Sequence, residues 1–284
     1  MTIRIKLTGG LGNQMFQFAT GFAIAKNNNV RLSLDLSYIN RRQLFNGFEL
    51  ENIFNIYSKV SFLNRPLSFK SVNFKEILNK VDVTFYNFKE PHFHYDPGIL
   101  DIPKHSFLDG YWQSELYFRD YAKEIKEIFN FSDKLNEQNH LISNDINNNN
   151  SISIHIRRGD FLLKQNNNHY IDLKEYYLKA INESSKFFKN PKYFIFSDDP
   201  SWVTDNFVLN HPYIVVDANH GSKSFLDMYL MSLCTSNIIA NSSFSWWSAW
   251  LNNNEDKIVY APKDWFNDKS ICTDHLIPNS WNIL

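Results

Sequence analysis

The sequence predicts an α/β protein of two domains, and three observations carry that expectation. The chain opens as strand, glycine turn, helix and strand. Beyond residue 150, apolar runs rich in β-branched and aromatic residues alternate with helical stretches, the pattern of a doubly wound parallel sheet. Between these halves "NDINNNN", residues 144–150, is a turn-prone run that sets a domain boundary, 1–148 against 149–284.

Residues 3–7, "IRIKL", alternate as a short strand, and "TGGLGNQ" supplies the turn. Met15, Phe18, Ala19, Phe22 and Ala25 then recur at helical spacing, Asn27 to Asn29 end the helix, and "VRLSLDL" alternates again. That is a βαβ unit. Residues 40–110 read as short helices and loops, broken by Pro66, Pro91, Pro97 and Pro103. Within "GYWQSELYFRDYAKEIKEIFNF", Tyr117, Tyr121, Ile125, Ile128 and Phe129 share one helical face. In the second half the strands are "SISIHI", "KYFIFS", "YIVVD", "NIIAN" and "KIVYA". Asp172 and Glu175 form a capping signal for a helix striped by Leu173, Tyr176, Tyr177, Ala180 and Ile181.

Composition excludes several functions. With 29 basic and 30 acidic side chains the net charge is −1, leaving no overall excess to attract nucleic acid. Cys234 and Cys272 fit no metal spacing, and a reducing, cytoplasmic setting is expected. The first residues lack the apolar core of a signal peptide, and no uncharged window of eighteen apolar residues exists to span a membrane. No D-x-D triplet and no His/Cys cluster is present, so no metal is expected, and a bound diphosphate would have to be neutralised by arginine and helix dipole. Aromatic residues make up 16% of the chain, an abundance suited to cores and to sugar-stacking surfaces alike.

In a parallel sheet, ligands bind outside the carboxyl ends of the strands. Those ends read "RRGD", "SDDP", "DANHGS" and "NSSFSWW", all with polar or charged groups. Alternation along "SISIHIRRGD" places His155 and Arg157 on one face and Ile154, Ile156 and Arg158 on the other. Arg157 or Arg158 is therefore a candidate for gripping a diphosphate in a bidentate fork, the alternative being an ion pair to an acid across the domain. In "SDDP", which starts at Ser197, Asp198 or Asp199 suits an N-cap before Pro200; the other carboxylate, like Asp217, suits a ribose or base edge. Asn241, Ser242, Ser243, Phe244 and Ser245 read as ligand-facing at a helix start, with Trp246, Trp247 and Trp250 in the core. The glycines of "TGGLGNQ" admit an anion to a helix N-terminus or simply make a tight turn.

"GGLGNQMFQFA", "HIRRGDF", "FSDD" and "NSSFSWWSAWL", in that order, resemble the bacterial α-1,2-fucosyltransferases of glycosyltransferase family 11. The resemblance runs over almost the whole chain and is weakest at 40–105. It implies a GT-B-like arrangement of two Rossmann-like domains facing a cleft, with the donor held by the second domain and the acceptor by the first. It also implies an inverting, metal-independent transfer of L-fucose from GDP-β-L-fucose to the 2-hydroxyl of a galactose-terminated acceptor. The setting it implies is O-antigen synthesis, with a lipid-linked oligosaccharide as acceptor and peripheral association with the inner face of the cytoplasmic membrane. Another GDP-linked deoxyhexose as donor, or non-catalytic carbohydrate binding, are the alternatives.

By the same resemblance, Arg157 contacts the departing β-phosphate, and His155 and Arg158 shape or brace the site. Ser197, Asp198, Asp199 and Asp217 serve ribose or guanine, and Asn241 to Ser245 line the phosphate side. Gly10, Gly12 and Asn13 close on the donor from the opposite domain. Asp160 is the candidate base, with an ion pair to an arginine as its competing role and Asp35 as its rival; Phe161 stands where the family commonly has Tyr.

Overall fold

The computed structural model describes residues 1–42, 46–64, 85–131, 134–159, 168 and 170–284. The chain divides into two compact units, Met1–Phe129 and Asn130–Leu284.

The first unit opens as the alternation predicts. Strand β1 (Thr2–Lys6) leads through the glycine turn into helix α1 (Leu11–Asn27) and back to β2 (Arg31–Asp35), parallel to β1. Ile3, Ile5 and Leu32 are fully buried, and Gly21 of α1 lies so close over Ile5 and Leu32 that a Cβ there would stand 3.0 Å from each. The helix is buried well beyond its predicted stripe, because Phe16 packs at a tilt on Phe118 and Phe18 on Phe129. Three short helices follow, α2 (Ser37–Arg42), α3 (Glu49–Phe54) and α4 (Ile56–Lys59).

Among its described residues the 40–110 stretch departs from expectation in carrying three strands, β3 (Leu63–Asn64), β4 (Tyr86–Lys89) and β5 (His105–Asp109). They complete a parallel five-stranded sheet of order β3-β2-β1-β5-β4. Strand β5 lies directly beside β1, yet its five residues carry too short an alternation to announce it; the pairing of Leu108 with Ile5 holds it there. The helix expected over 110–131 is confined to α5 (Ala122–Ile128), behind two 3₁₀ turns at Glu115–Tyr117 and Arg119–Tyr121. Ser114 interrupts it, since its hydroxyl accepts from Leu116 N–H and starts a turn instead.

The second unit begins before the expected boundary at 148. Helix α6 (Glu137–Asn147) runs into "NDINNNN", and Ile146, the apolar residue of that run, is buried against Phe194, Phe196 and Leu230. Its hydrophobic anchor draws the segment into the second core.

Strands β6 (Ser151–Ile156), β7 (Lys192–Ser197), β8 (Tyr213–Val216), β9 (Ser236–Ile238), β10 (Val259–Ala261) and β11 (Asn282–Ile283) form a parallel six-stranded sheet of order β11-β10-β9-β6-β7-β8. β6 is buried throughout, as a central parallel strand must be. One face packs Tyr176, Tyr177, Ala180 and Ile181 of α7 (Lys174–Phe187) against Ile152, Ile154 and Ile195. The other packs α6 and α9 (Phe225–Leu233) against Phe194, Phe196 and Val216. Helices α8 (Pro200–Asn206) and α10 (Ser243–Leu251) follow β7 and β9. Helices on both faces make the sheet doubly wound and carry the ends of β6, β7, β8 and β9 to one edge. Asp172 accepts from Lys174 N–H rather than through the reciprocal box expected with Glu175. Among the described residues no helix is long and apolar enough to cross a membrane.

Candidate active site

The carboxyl edge of the second sheet is organised by two arginines and two aspartates. Arg157 Nη1 pairs with Asp198 Oδ2 at 3.0 Å, and Arg158 Nε with Asp199 Oδ2 at 3.4 Å. The side-chain separation expected from strand alternation is realised as a separation of partners. Arg158 is further restrained by Trp202, whose ring centroid lies 3.6 Å from the guanidinium carbon. Asp199 also caps α8, accepting from Trp202 N–H at 3.2 Å, while its own N–H donates to Ser197 Oγ at 3.0 Å.

With Asp199 as the cap, Asp198 is the carboxylate of the pair that remains for a ribose or base edge. Instead its Oδ1 accepts from Arg158 N–H at 2.9 Å and its Oδ2 meets Arg157, so the carboxylate orients the arginine turn. Gly159 permits this arrangement: a Cβ there would stand 2.6 Å from Asp198 Oδ2.

His155 is buried in β6 with its ring 5.6 Å from Phe244, and its carbonyl accepts from Tyr177 Oη. Burial, and after it the neighbouring Arg157 charge, push the imidazole down to about 3, against a smaller opposing effect of Asp198. Burial therefore favours the neutral form of the ring. Its Nδ1 has no hydrogen-bond partner among the described residues.

The run from Asn241 to Ser245 divides. Asn241 and Ser245 are buried and structural, the first donating to Trp265 O and the second accepting from Ala240 N–H. Ser242 caps α10 by accepting from Phe244 N–H, and Ser242, Ser243 and Phe244 alone of the five are partly exposed. Trp246, Trp247 and Trp250 are core residues, as expected. Asp217 lies exposed after β8, its Oδ1 3.1 Å from His220 Nε2. Asp160 and Phe161 lie outside the described residues.

In the first unit Gly10 is the N-cap position of α1, Gly12 is buried in its first turn, and the Asn13 Oδ1 accepts from Gln113 Nε2 at 2.7 Å. The glycine whose backbone demands it is Gly9, at φ +75, where a Cβ would collide with Asn13. Asp35 Oδ1 accepts from Ser37 N–H.

Sequence reasoning overlooked a buried polar chain at the second sheet. Asn139 of α6 and Asn219 of the loop after β8 exchange hydrogen bonds of 2.9 and 2.8 Å, and Asn219 Nδ2 donates to Asp227 Oδ1 at 2.7 Å. Burial pushes Asp227 up to about 7, with Asp217 adding to the rise and the Asn219 bond opposing it. An acidic residue in the first turn of an otherwise apolar helix, "FLDMYLMSL", was the available signal.

The profile of glycosyltransferase family 11 matches residues 1–284. The chain belongs to that family. Among curated relatives of this glycosyltransferase, an Escherichia coli alpha-1,2-colitosyltransferase is 33% identical over 97% of this chain and 96% of its own. The O-antigen biosynthesis glycosyltransferase WbnK of E. coli is 35% identical over 94% and 96%. Galactoside alpha-(1,2)-fucosyltransferase 2 of Hylobates lar is 24% identical over 88% and 69%. Solved structures share the fold: NodZ alpha-1,6-fucosyltransferase co-crystallised with GDP has a TM-score of 0.50 at 15% identity, covering 87% of this chain and 91% of NodZ. An Arabidopsis thaliana FUT1 mutant in complex with GDP has a TM-score of 0.51 at 15%, covering 95% and 72%.

Proposed function

We propose that this glycosyltransferase moves a fucose-type 6-deoxy-L-sugar from its GDP derivative to the 2-hydroxyl of a galactose-type acceptor, without a metal. The observation that carries the reading is Arg157, held at the end of the central strand β6 and aimed by Asp198. A guanidinium so placed is suited to the β-phosphate, whose charge grows as the bond to the anomeric carbon breaks. Arginine and the α10 N-terminus are suited to meet that charge.

Converting a β-linked donor into an α-glycoside is an inversion. The acceptor oxygen attacks opposite the departing GDP, and its proton passes to a base, the role proposed for Asp160 or Asp35. The relatives named for colitosyl and fucosyl transfer support the donor class. Colitose is fucose lacking the 3-hydroxyl, so the two donors share every GDP contact. The name of WbnK supports an O-antigen glycan as acceptor; that this glycan is lipid-linked at the cytoplasmic face of the membrane is part of the proposal.

Calorimetry with GDP, UDP and ADP, followed by GDP-fucose and GDP-colitose with lactose, lacto-N-biose and N-acetyllactosamine, tests the reading. GDP alone should bind, and NMR should show an α-1,2 linkage. Equal affinity for UDP, or binding without transfer from either donor, would overturn it. A site hydrogen-bonded to the 3-hydroxyl discriminates against the deoxy donor by about 10⁴-fold or more, whereas an apolar wall there discriminates only about 10²-fold, so the kcat/KM ratio also reports the wall.

A further inference from the structure

The acceptor still lacks a site, and the first sheet offers one at its own carboxyl edge. We propose that Tyr111, with Tyr38, Lys6 and Asp109, forms a platform for a galactoside-type pyranose, an assignment that rests on the transfer reaction proposed above.

Tyr111 follows β5 directly and is 43% exposed, while the next residue, Trp112, is fully buried. The backbone that separates them is unusual, since Trp112 sits in the left-handed region at φ +57, a conformation bulky residues rarely adopt. Such strain persists only where surrounding contacts over-determine it. Here Glu90 accepts from both Tyr111 N–H, at 2.6 Å, and Trp112 N–H, at 3.0 Å. The buried Gln17 donates to Gly110 O at 3.0 Å, and Gln113 is tied to Asn13. The Trp112 indole is pinned edge-on to Tyr117, with centroids 5.9 Å apart. Side chains from α1 and from the end of β4 thus fix a partly exposed aromatic residue, whose ring centroid lies 6.4 Å from that of Phe93.

The surroundings of that ring suit a sugar. Lys6 Nζ pairs with Asp109 Oδ2 at 2.9 Å and stands 5.8 Å from the Tyr38 ring centroid. Tyr111 follows Asp109 by two residues, and its phenol is raised first by desolvation and then by Tyr38 and Glu90, against Lys6. A galactopyranose presents an apolar C–H face to an aromatic ring and hydroxyls to charged and phenolic groups at its rim. A hydrophobic protein partner would find the Lys6–Asp109 pair unfavourable.

Acceptor kinetics with lactose and the full chain test the proposal. Tyr111→Ala should raise the acceptor KM about 10-fold or more without altering GDP affinity by calorimetry, and Tyr111→Phe, which keeps the ring, should recover most of the loss. Tyr86→Ala, a change at another exposed tyrosine of the same unit, should leave the acceptor KM as it was. An unchanged acceptor KM in folded Tyr111→Ala overturns the site. If Tyr111→Ala does not fold, Lys6→Met is read in the same assay, with the same rise expected and an unchanged value again decisive. Failure of the wild type to bind GDP or transfer would instead refute the proposed reaction. Saturation-transfer NMR of lactose on wild type and variant then decides the platform by itself, a retained signal in the variant overturning it.

Discussion

Asp227→Asn isolates one electrostatic penalty in the second unit. The wild-type carboxyl is buried in the first turn of α9 and is held up to about 7, chiefly by burial, with Asp217 adding and the Asn219 bond opposing. In the unfolded chain it titrates near 4. A carboxyl raised on folding favours the native state while it is protonated in both states, and that advantage is lost as pH climbs from about 4 through about 7. Moving the titration over that interval corresponds to about 4 kcal/mol, taken as an upper bound. Asparagine keeps the volume, can still accept from Asn219 Nδ2 through its own Oδ1, and does not ionise. Urea unfolding followed by circular dichroism should find wild type and variant similar at pH 4.5. At pH 8 the variant should be ahead by a few kcal/mol, with a Tm roughly 5–10 °C higher. A difference that stays constant from pH 4.5 to 8 would refute the reasoning, because it would mean that Asp227 does not gain its proton on folding.

Arg157→Ala should lower turnover roughly 10²- to 10³-fold, the usual loss on removing one donor to developing charge; near-normal turnover in a folded variant removes Arg157 from the phosphate. Gly159→Ala pushes a methyl toward Asp198 Oδ2 and should weaken GDP binding about 10-fold while the fold is retained, as calorimetry and circular dichroism would record. Because His155 is held at about 3, an ionisation between pH 5 and 8 in the kcat/KM profile belongs to another group, and His155→Asn should preserve the shape of that profile.

Some of this protein could be read along the chain and some could not, and the dividing line is physical. The long alternating and apolar runs announced β1, β2, β6, β7 and β8, since each strand's own side chains set its burial. β5 was hidden because five residues ending in Asp109 look like a loop until β1 lies beside them. "NDINNNN" looked like a linker because polar residues dominate it, yet one isoleucine, docked against residues far along the chain, holds its first four residues in a helix. At the site, the motifs marked the correct strand ends, whereas the partner of each side chain stayed concealed. Asp198 and Asn241 look ligand-facing in sequence, and each spends its side chain on residues distant in the chain.

Periodicity and strand-end chemistry were enough to establish an α/β chain with polar groups gathered after its strands, because alternation and turn preference act between near neighbours. The division of labour between Arg157 and Arg158, the neutrality of His155, the buried Asn139–Asn219–Asp227 chain and the outward Tyr111 ring depend on long-range packing. Hydrogen-bond partners, desolvation and backbone strain exist only once distant segments meet, so no window of the sequence contains them.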